Sequence, residues 1–304
     1  MTILRIGLIG LDTSHCIAFT RLLHDTSDAY HVPGARVVAA YPGGSPDFHL
    51  SISRVDGFTN DIQQKFGVQI MASPEEVAQQ SDALMLLAAD GRVHLELFRR
   101  IAPFGKPVFI DKPLALNSSD AEEIGKIAAS HGISVMSSSS LRYAVSLIEE
   151  LGREEKGKVT GADVQGPMEI QPTQSRYFWY VIHAAEMLYA IMGPGCREVA
   201  VSSTEEHDLI TGTWDDGRIG TVRGNRVGNS KFGALIHRTS GSDYIDASSS
   251  GKPFYADLLE QVLFMFSTGQ TVLPFEQSVE VIRFLEAVEE SLASGKKVSM
   301  FANR

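Results

Sequence analysis

The stretch PVFIDKPLA, residues 107–115, has the pattern of a buried strand that ends at two charged side chains. Residues 108–110 are β-branched or aromatic, which is typical of a strand inside a parallel sheet. Pro113 disfavours the α conformation at Lys112, so we expect the chain to stay extended through the lysine. In open α/β sheets this end of a strand borders the ligand crevice. The stretch therefore leaves two interpretations open, a lysine that faces a ligand and a lysine that only starts a solvated loop, and strand position alone favours the second.

Strand and helix patterns alternate on both sides of this stretch, from residue 3 to residue 136. Such alternation predicts a mostly parallel sheet with helices on both faces, a Rossmann-like doubly wound α/β domain. The first strand pattern is followed by a glycine turn and a helix, which is the order of a dinucleotide-binding unit. The free N–H groups and the dipole at the start of such a helix favour a pyrophosphate.

The glycine fingerprint of that unit is altered in this chain. Gly10 occupies the first position of G-x-G-x-x-G, but Asp12 and His15 stand at the second and third positions. Gly10 still permits the tight turn, whereas Asp12 is expected to bring a carboxylate near the place where a pyrophosphate would approach. The motif alone therefore favours a dinucleotide only weakly.

The second strand pattern ends at Tyr41 without the acidic residue that binds a ribose hydroxyl in many NAD enzymes. Ser45 or Arg54 could instead accommodate a 2′-phosphate. The alternative is that the glycine pair at 43–44 only forms a turn. The sequence thus leaves NAD and NADP open.

The second half of the chain has a different texture. An apolar, aromatic helix pattern carries His183, with Trp179 four residues before it and Glu186 three residues after it, so that all three would share one face. Short alternating strands joined by hairpin turns follow, and these predict an open antiparallel sheet. We expect a dinucleotide-binding domain at residues 1–138 and an α+β domain at 139–304 that binds substrate and forms oligomers.

Composition excludes several classes of function. The net charge is −10 and no Lys/Arg cluster exceeds two residues, which argues against nucleic acid and membrane partners. No apolar stretch approaches the roughly 18 residues of a membrane span, and the first residues lack a signal-peptide pattern. Cys16 and Cys196 lack metal-type spacing, so we expect no metal site and a reduced, cytoplasmic protein.

Two motifs resemble those of the glucose–fructose oxidoreductase, inositol dehydrogenase and rhizopine-catabolism (Gfo/Idh/MocA) family, and the resemblance extends over essentially the whole chain. The Glu-Lys-Pro of that family is similar to Asp111-Lys112-Pro113 here. Its Asp-x-x-x-His motif, followed by an acid three residues later, is similar to residues 179–186. Trp179 stands where the family has its aspartate, so one carboxylate of the usual Lys-Asp-His set is missing.

The resemblance implies an NAD(P)-dependent oxidoreductase that acts on a hydroxyl group of a sugar, polyol or related small molecule. It implies that Lys112 and His183 are catalytic and converge on one cleft, with Glu186 or another carboxylate orienting the histidine. We also expect two further sets of site residues. The expected cofactor site consists of Gly10, Leu11, Asp12, Thr13, Ser14, Tyr41, Asp90, Asp111 and Lys112. The polar groups expected to orient substrate are Arg142, Tyr177 and Tyr180, and Arg142 suits a carboxylate or phosphate bidentately.

Two other functions remain open at this point. The altered fingerprint and the missing aspartate are also compatible with a family member that binds a ligand or partner without turnover. A hydrolase or lyase that uses tightly held NAD for a transient oxidation is the third possibility. In each case we expect a homo-oligomer formed through the second-domain sheet.

Overall fold

The computed structural model describes residues 3–301. The chain divides into two compact units, Met1–Ser138 with Tyr255–Ser278, and Ser139–Phe254 with Val279–Arg304. The sequence-based division placed residues 255–278 in the second domain, whereas they pack with the first unit. The ring of Tyr255 lies 5.5 Å from that of Phe19. Such contacts join residues far apart in sequence, and no local sequence pattern predicts them.

The strands and helices have the following bounds. The strands are β1 Leu4–Ile9, β2 Ala35–Tyr41, β3 Gln69–Ile70, β4 Ala83–Leu86, β5 Val108–Ile110, β6 Val135–Ser137, β7 Val159–Pro167, β8 Cys196–Ser203, β9 His207–Trp214, β10 Ile219–Asn225, β11 Gly233–Arg238, β12 Gly241–Asp246 and β13 Val298–Ser299. The helices are α1 Ser14–His24, α2 His49–Phe66, α3 Pro74–Gln80, α4 His94–Ile101, α5 Ser118–His131, α6 Val145–Leu151, α7 Arg176–Trp179, α8 Val181–Met192, α9 Phe254–Thr268 and α10 Phe275–Ser294.

The first unit contains a six-stranded sheet in the order β3-β2-β1-β4-β5-β6, with every neighbouring pair parallel. All residues of β4, β5 and β6 are buried, as the unbroken apolar runs of β4 and β5 predict. The carboxyl ends of β1, β2, β4 and β5 share one edge of the sheet. The predicted Rossmann-like architecture is confirmed, and the loops that follow these four strands lie along this edge.

The second unit contains a seven-stranded sheet in the order β12-β11-β7-β10-β9-β8-β13. β7 and β10 pair in parallel, and the other neighbours are antiparallel. The predicted α+β class is confirmed, but the sheet is mixed instead of wholly antiparallel. The parallel pair joins strands that are separated along the chain by two helices and two further strands, and hairpin signals cannot reveal such a pairing. Helix α8 covers one face of the sheet, where the Leu188 side chain fills the space beside Gly220.

The aromatic segment before His183 forms two helices instead of the single helix that the sequence pattern predicts. α7 ends at Trp179, and Tyr180 leaves the helical conformation, with φ −128° and ψ −34°. α8 then starts at Val181. Trp179 and His183 therefore lie on different helices, and the four-residue spacing between them does not define a common helix face.

Gly10 is the residue on which the turn after β1 depends. Its φ is +95°, and a Cβ atom there would lie 2.4 Å from the Ala88 nitrogen. Gly34 has a similar φ of +102°, but nothing lies within 4 Å of its Cβ position. We expect Gly34→Ala to cost only backbone strain, about 1–3 kcal/mol. Gly10→Ala should lose a further 1–3 kcal/mol, roughly, through the clash.

Urea unfolding of the two glycine variants measures this difference in the free energy of unfolding. Equal losses in Gly10→Ala and Gly34→Ala would show that the backbone of Ala88 yields to the added methyl group.

Asp208 is the centre of a buried charge cluster in the second unit, and its side chain has no exposed surface. Its carboxylate accepts hydrogen bonds from Tyr177 Oη at 2.7 Å and Arg226 Nη2 at 3.0 Å, and Arg176 Nη2 lies 3.1 Å away. Burial opposes ionisation, but these donors hold the pKa of Asp208 below its usual value. The cluster ties α7 to β9 and to the loop after β10.

Asp208→Ala would leave two arginines without their carboxylate in a largely buried place. Loss of one partner of such a set costs about 3–5 kcal/mol. Glu198→Ala is the matched control, because it removes the exposed ion pair between Glu198 and Lys297, at 2.8 Å, which is worth about 0–1 kcal/mol. Thermal and denaturant unfolding would check both values, and a similar loss in the two variants would contradict the buried-charge explanation.

Candidate functional site

The turn between β1 and α1 holds most of the predicted cofactor residues. Thr13 caps α1, its Oγ1 accepting from the His15 N–H at 3.4 Å, and Ser14 is exposed at the first helical position. The buried Leu11 donates its N–H to the Pro42 carbonyl at 2.7 Å. This places the helix start and the loop after β2 side by side at the strand edge.

The carboxylate of Asp12 is buried instead of projecting from this turn. Its oxygens accept from Ser51 Oγ at 2.6 Å and from the Ala89 N–H at 3.0 Å. Ser51 Oγ in turn accepts from the Ser45 N–H at 2.8 Å. The residue at the second fingerprint position therefore joins the turn to α2 and to the loop after β4. Each of its two carboxylate oxygens therefore has a donor inside the protein.

Asp90 and the half-buried Tyr41 flank the same edge, and Asp90 is fully buried. Arg92 binds Asp90 through Nη2 at 2.6 Å and holds Asp47 with both terminal nitrogens at 2.8 Å. Burial raises the pKa of Asp90, yet the hydrogen bonds from Arg92 and Ser45 bring it below its usual value. Asp90 is thus an anion that holds loops together.

Lys112 follows β5, as predicted, and lies next to a buried carboxylate. Asp111 Oδ2 is 2.6 Å from His15 Nδ1, so the residue at the third fingerprint position pairs with the acid before the lysine. Burial disfavours the charged form of Asp111, but His15 and Lys112 bring its pKa below the ordinary value. Burial lowers the pKa of Lys112, against the attraction of Asp111. A lysine with a lowered pKa can donate a hydrogen bond and also exchange a proton.

His183 lies near the start of α8 in a half-buried, largely aromatic setting. Its Nδ1 is 2.7 Å from Ser139 Oγ. The rings of Tyr180 and Phe232 lie 5.4 and 5.7 Å from the imidazole, each approximately edge to face. Tyr180 is half-buried, so of the predicted substrate residues it is the one placed beside the histidine with surface to offer.

Glu186 does not have the partner that the sequence suggested. Its carboxylate accepts from Arg142 Nε at 2.7 Å and from the Ser139 N–H. Burial raises the pKa of Glu186, while these two donors oppose the rise. The group that contacts the imidazole is the Ser139 hydroxyl. The Glu186 carboxylate binds the main-chain N–H of the same serine.

Arg142 and Tyr177 were predicted to orient substrate, and the structure gives both a structural role. Arg142 is 7% exposed, and its Nη2 is buried without a hydrogen-bond partner among residues 3–301. Its Nε binds Glu186 at 2.7 Å, so this nitrogen is already engaged within the second unit. Tyr177 is fully buried and donates to Asp208. Both were chosen as polar groups near the motif, but their buried ionic partners are distant in sequence.

Sequence reasoning missed four residues that shape these sites. Ser51 and Arg92 fix the loops of the first unit, and Ser139 and Phe232 surround His183. The serine run at 137–140 was visible but carried no motif, and Phe232 sits in a loop without any signal. Within residues 3–301, no group of three or more His, Cys, Asp or Glu side chains is arranged to hold a metal ion.

Comparisons with known proteins agree with this geometry. Residues 5–139 match the model of the Gfo/Idh/MocA family, described as an oxidoreductase family with an NAD-binding Rossmann fold. No curated protein sequence matches the chain. No helix in the described part of the chain has the length and apolar character needed to cross a membrane.

Several solved structures share the fold over nearly their whole length. GenD2 from gentamicin A biosynthesis, in complex with NAD, has a TM-score of 0.78 at 18% identity, with 99% of this chain and 97% of that chain covered. Myo-inositol 2-dehydrogenase from Lactobacillus plantarum has 0.79 at 17%, covering 98% and 99%. Scyllo-inositol dehydrogenase from Lactobacillus casei, with bound NAD(H) and scyllo-inositol, has 0.76 at 14%, covering 99% and 100%.

The strand-edge lysine, the glycine turn and the family match lead to the same assignment for the first unit. The structural matches extend the fold assignment to the whole chain. Residues 5–139 of this chain are similar to the Gfo/Idh/MocA oxidoreductase family, which is described by its NAD-binding Rossmann fold.

Proposed function

We propose that this protein is an NAD-dependent dehydrogenase that acts on a hydroxyl group of a polyol or sugar-like small molecule. The observation that carries the proposal is Lys112, placed after β5 with a lowered pKa and beside the buried pair of Asp111 and His15. The inositol dehydrogenases that share the fold support the choice of a polyol.

The turn after β1 fits a dinucleotide pyrophosphate. Gly10 brings the turn close to the backbone of Ala88, and the carboxylate of Asp12 is satisfied inside the protein. The exposed Ser14 at the start of α1 leaves that helix end accessible to an anion. We propose that Gly10, Thr13 and Ser14 hold the pyrophosphate and that Tyr41 lies near the adenosine ribose. NAD is our first choice, and NADP is the alternative.

We propose that Lys112 binds the reacting hydroxyl oxygen and polarises it. Its lowered pKa makes the ammonium group a better proton donor, and the adjacent Asp111 remains an anion that orients it. A bound nicotinamide would supply the hydride acceptor. We propose that Nε2 of His183 takes the hydroxyl proton, because Ser139 already engages Nδ1. Tyr180, beside the imidazole, would contact the substrate ring.

The open face of the second-unit sheet supports self-association. Leu209, Ile219 and Tyr244 are 40, 55 and 59% exposed there. Together with Leu235 and Arg223, Leu209 and Tyr244 line a hollow of about 340 Å³. We propose that a second copy of this chain covers this face. The two cysteines are buried and free, which supports a reducing, cytoplasmic setting.

The assigned roles predict distinct kinetics for two variants. His183→Gln should lower the rate of NADH formation with an inositol substrate about 10²–10⁴-fold, the range for a general acid–base group, and leave NADH binding intact. Lys112→Met should lower the rate and weaken NADH binding. If both side chains serve the same proton transfer, the double variant should lose less than the product of the single losses.

Assays of NADH formation with a panel of inositols give the rates, and fluorescence titration with NADH or NADPH gives the binding affinity. Mass spectrometry of the molecules released from the freshly purified protein identifies any bound dinucleotide. Absence of bound or bindable dinucleotide would favour ligand binding without turnover. Bound dinucleotide without net redox change would favour a hydrolase or lyase.

Tyr244→Glu combined with Leu209→Glu should dissociate the oligomer, because both substitutions place charge on the apolar part of the sheet face. Val272→Glu is the control, since Val272 is 54% exposed and belongs to the first unit, so it is not part of this sheet. Sedimentation velocity at micromolar concentration gives the answer. A wild-type monomer, or an unchanged oligomer in the double variant, would refute association through this face.

A further inference from the structure

We infer that Ser139 is the positioning residue for His183, and that its hydroxyl takes the place of the carboxylate that the family motif would put at position 179. The inference rests on the proposed role of His183 as the proton acceptor. Trp179 cannot accept a proton from an imidazole, and it ends α7 whereas His183 lies in α8. The Ser139 hydroxyl, at 2.7 Å from Nδ1, fills the position on the ring that an orienting group requires.

Ser139 is held firmly enough to orient the ring. It directly follows the first unit, caps the turn at residues 140–143, and is fully buried. Its Oγ also accepts from the Leu141 N–H at 3.2 Å. Its own N–H donates to Glu186. The serine is therefore fixed through the side chain and the main chain, as a group that positions another residue must be.

Glu186 and Arg142 complete the arrangement by holding the main chain of Ser139. Arg142 Nε binds the Glu186 carboxylate at 2.7 Å, and both side chains are buried. The arginine offsets the carboxylate charge, and the carboxylate anchors the Ser139 main chain. This explains why two charged residues near the motif serve the histidine without themselves supplying its Nδ1 partner.

A hydroxyl and a carboxylate differ in what they impose on an imidazole. A carboxylate only accepts, so it requires a proton on Nδ1 and stabilises the imidazolium. A serine hydroxyl accepts or donates by rotating about its C–O bond. Ser139 can therefore stay bonded to His183 whether Nδ1 carries a proton or not. Because Nε2 takes the proton in the proposed reaction, Nδ1 is protonated before and after the transfer, so the Ser139 oxygen accepts from it in both states and the imidazole keeps its orientation.

Two aromatic rings and a hydroxyl lie against the His183 imidazole. Tyr180 and Phe232 present aromatic rings to the imidazole, and Ser139 presents the hydroxyl. Glu186 and Arg142 act as a paired, nearly neutral unit beyond the serine. A change at position 139 should therefore appear directly in the titration of His183.

The test is an NMR titration of imidazole nitrogens in the full-length protein labelled with ¹⁵N-histidine. His183→Gln identifies the His183 signals. We expect Ser139→Asp to raise the pKa of His183 by about one unit or more, since a nearby opposite charge commonly has this effect. Ser139→Thr, which keeps the hydroxyl, should reproduce the wild-type titration. Ser139→Ala should change the balance of the two neutral tautomers.

Ser140→Ala is the matched control, because it removes the next hydroxyl in the same turn and should leave the His183 signals unchanged. Wild-type titration and tautomer balance in both Ser139→Ala and Ser139→Asp would overturn the inference. If either variant fails to fold, a wild-type Nδ1 signal without hydrogen-bonded character would overturn it as well. NADH binding, measured on the same samples, tests the proposed function separately from the positioning of the histidine.

Discussion

The buried carboxylate of Asp12 is the interaction on which the strand edge of the first unit depends. It joins three segments at once, because it lies in the turn after β1 and accepts from a side chain on α2 and from the main chain after β4. A buried carboxylate is costly unless such donors satisfy it. With the donors present, the two loops are held in fixed positions around the turn, and the ion pairs of Arg92 reinforce the same arrangement.

This network changes the interpretation of the altered glycine fingerprint. Decay of a motif would leave substituted side chains without a consistent set of partners. Here Asp12 is bound within the protein and His15 pairs with Asp111, the residue directly before Lys112. Both substitutions are thus integrated into the hydrogen bonding of the strand edge. The geometry favours a working site of unusual composition over a relic of one.

The sequence predicted what depends on local periodicity and single-residue geometry. Unbroken apolar runs identified the inner strands β4 and β5, and the tight turn at Gly10 followed from the strand–turn–helix order. Pairings between distant segments could not be predicted in this way. The parallel pairing of β7 and β10, the hydroxyl of Ser139 on His183, and the burial of Tyr177 against Asp208 all arise from tertiary packing. Composition near a motif indicates which residues are close in sequence, not which atoms meet.

The return of residues 255–278 to the first unit has a consequence for synthesis of the chain. The ring of Phe275 lies against Gly125 of α5, and Tyr255 packs against His15 and Phe19. A ribosome that has made only the first 138 residues has therefore not yet delivered the side chains that complete this packing. Domains often fold in order from the N-terminus as they emerge. In this chain the first unit emerges first, but it cannot complete its packing until nearly all of the second unit has been translated.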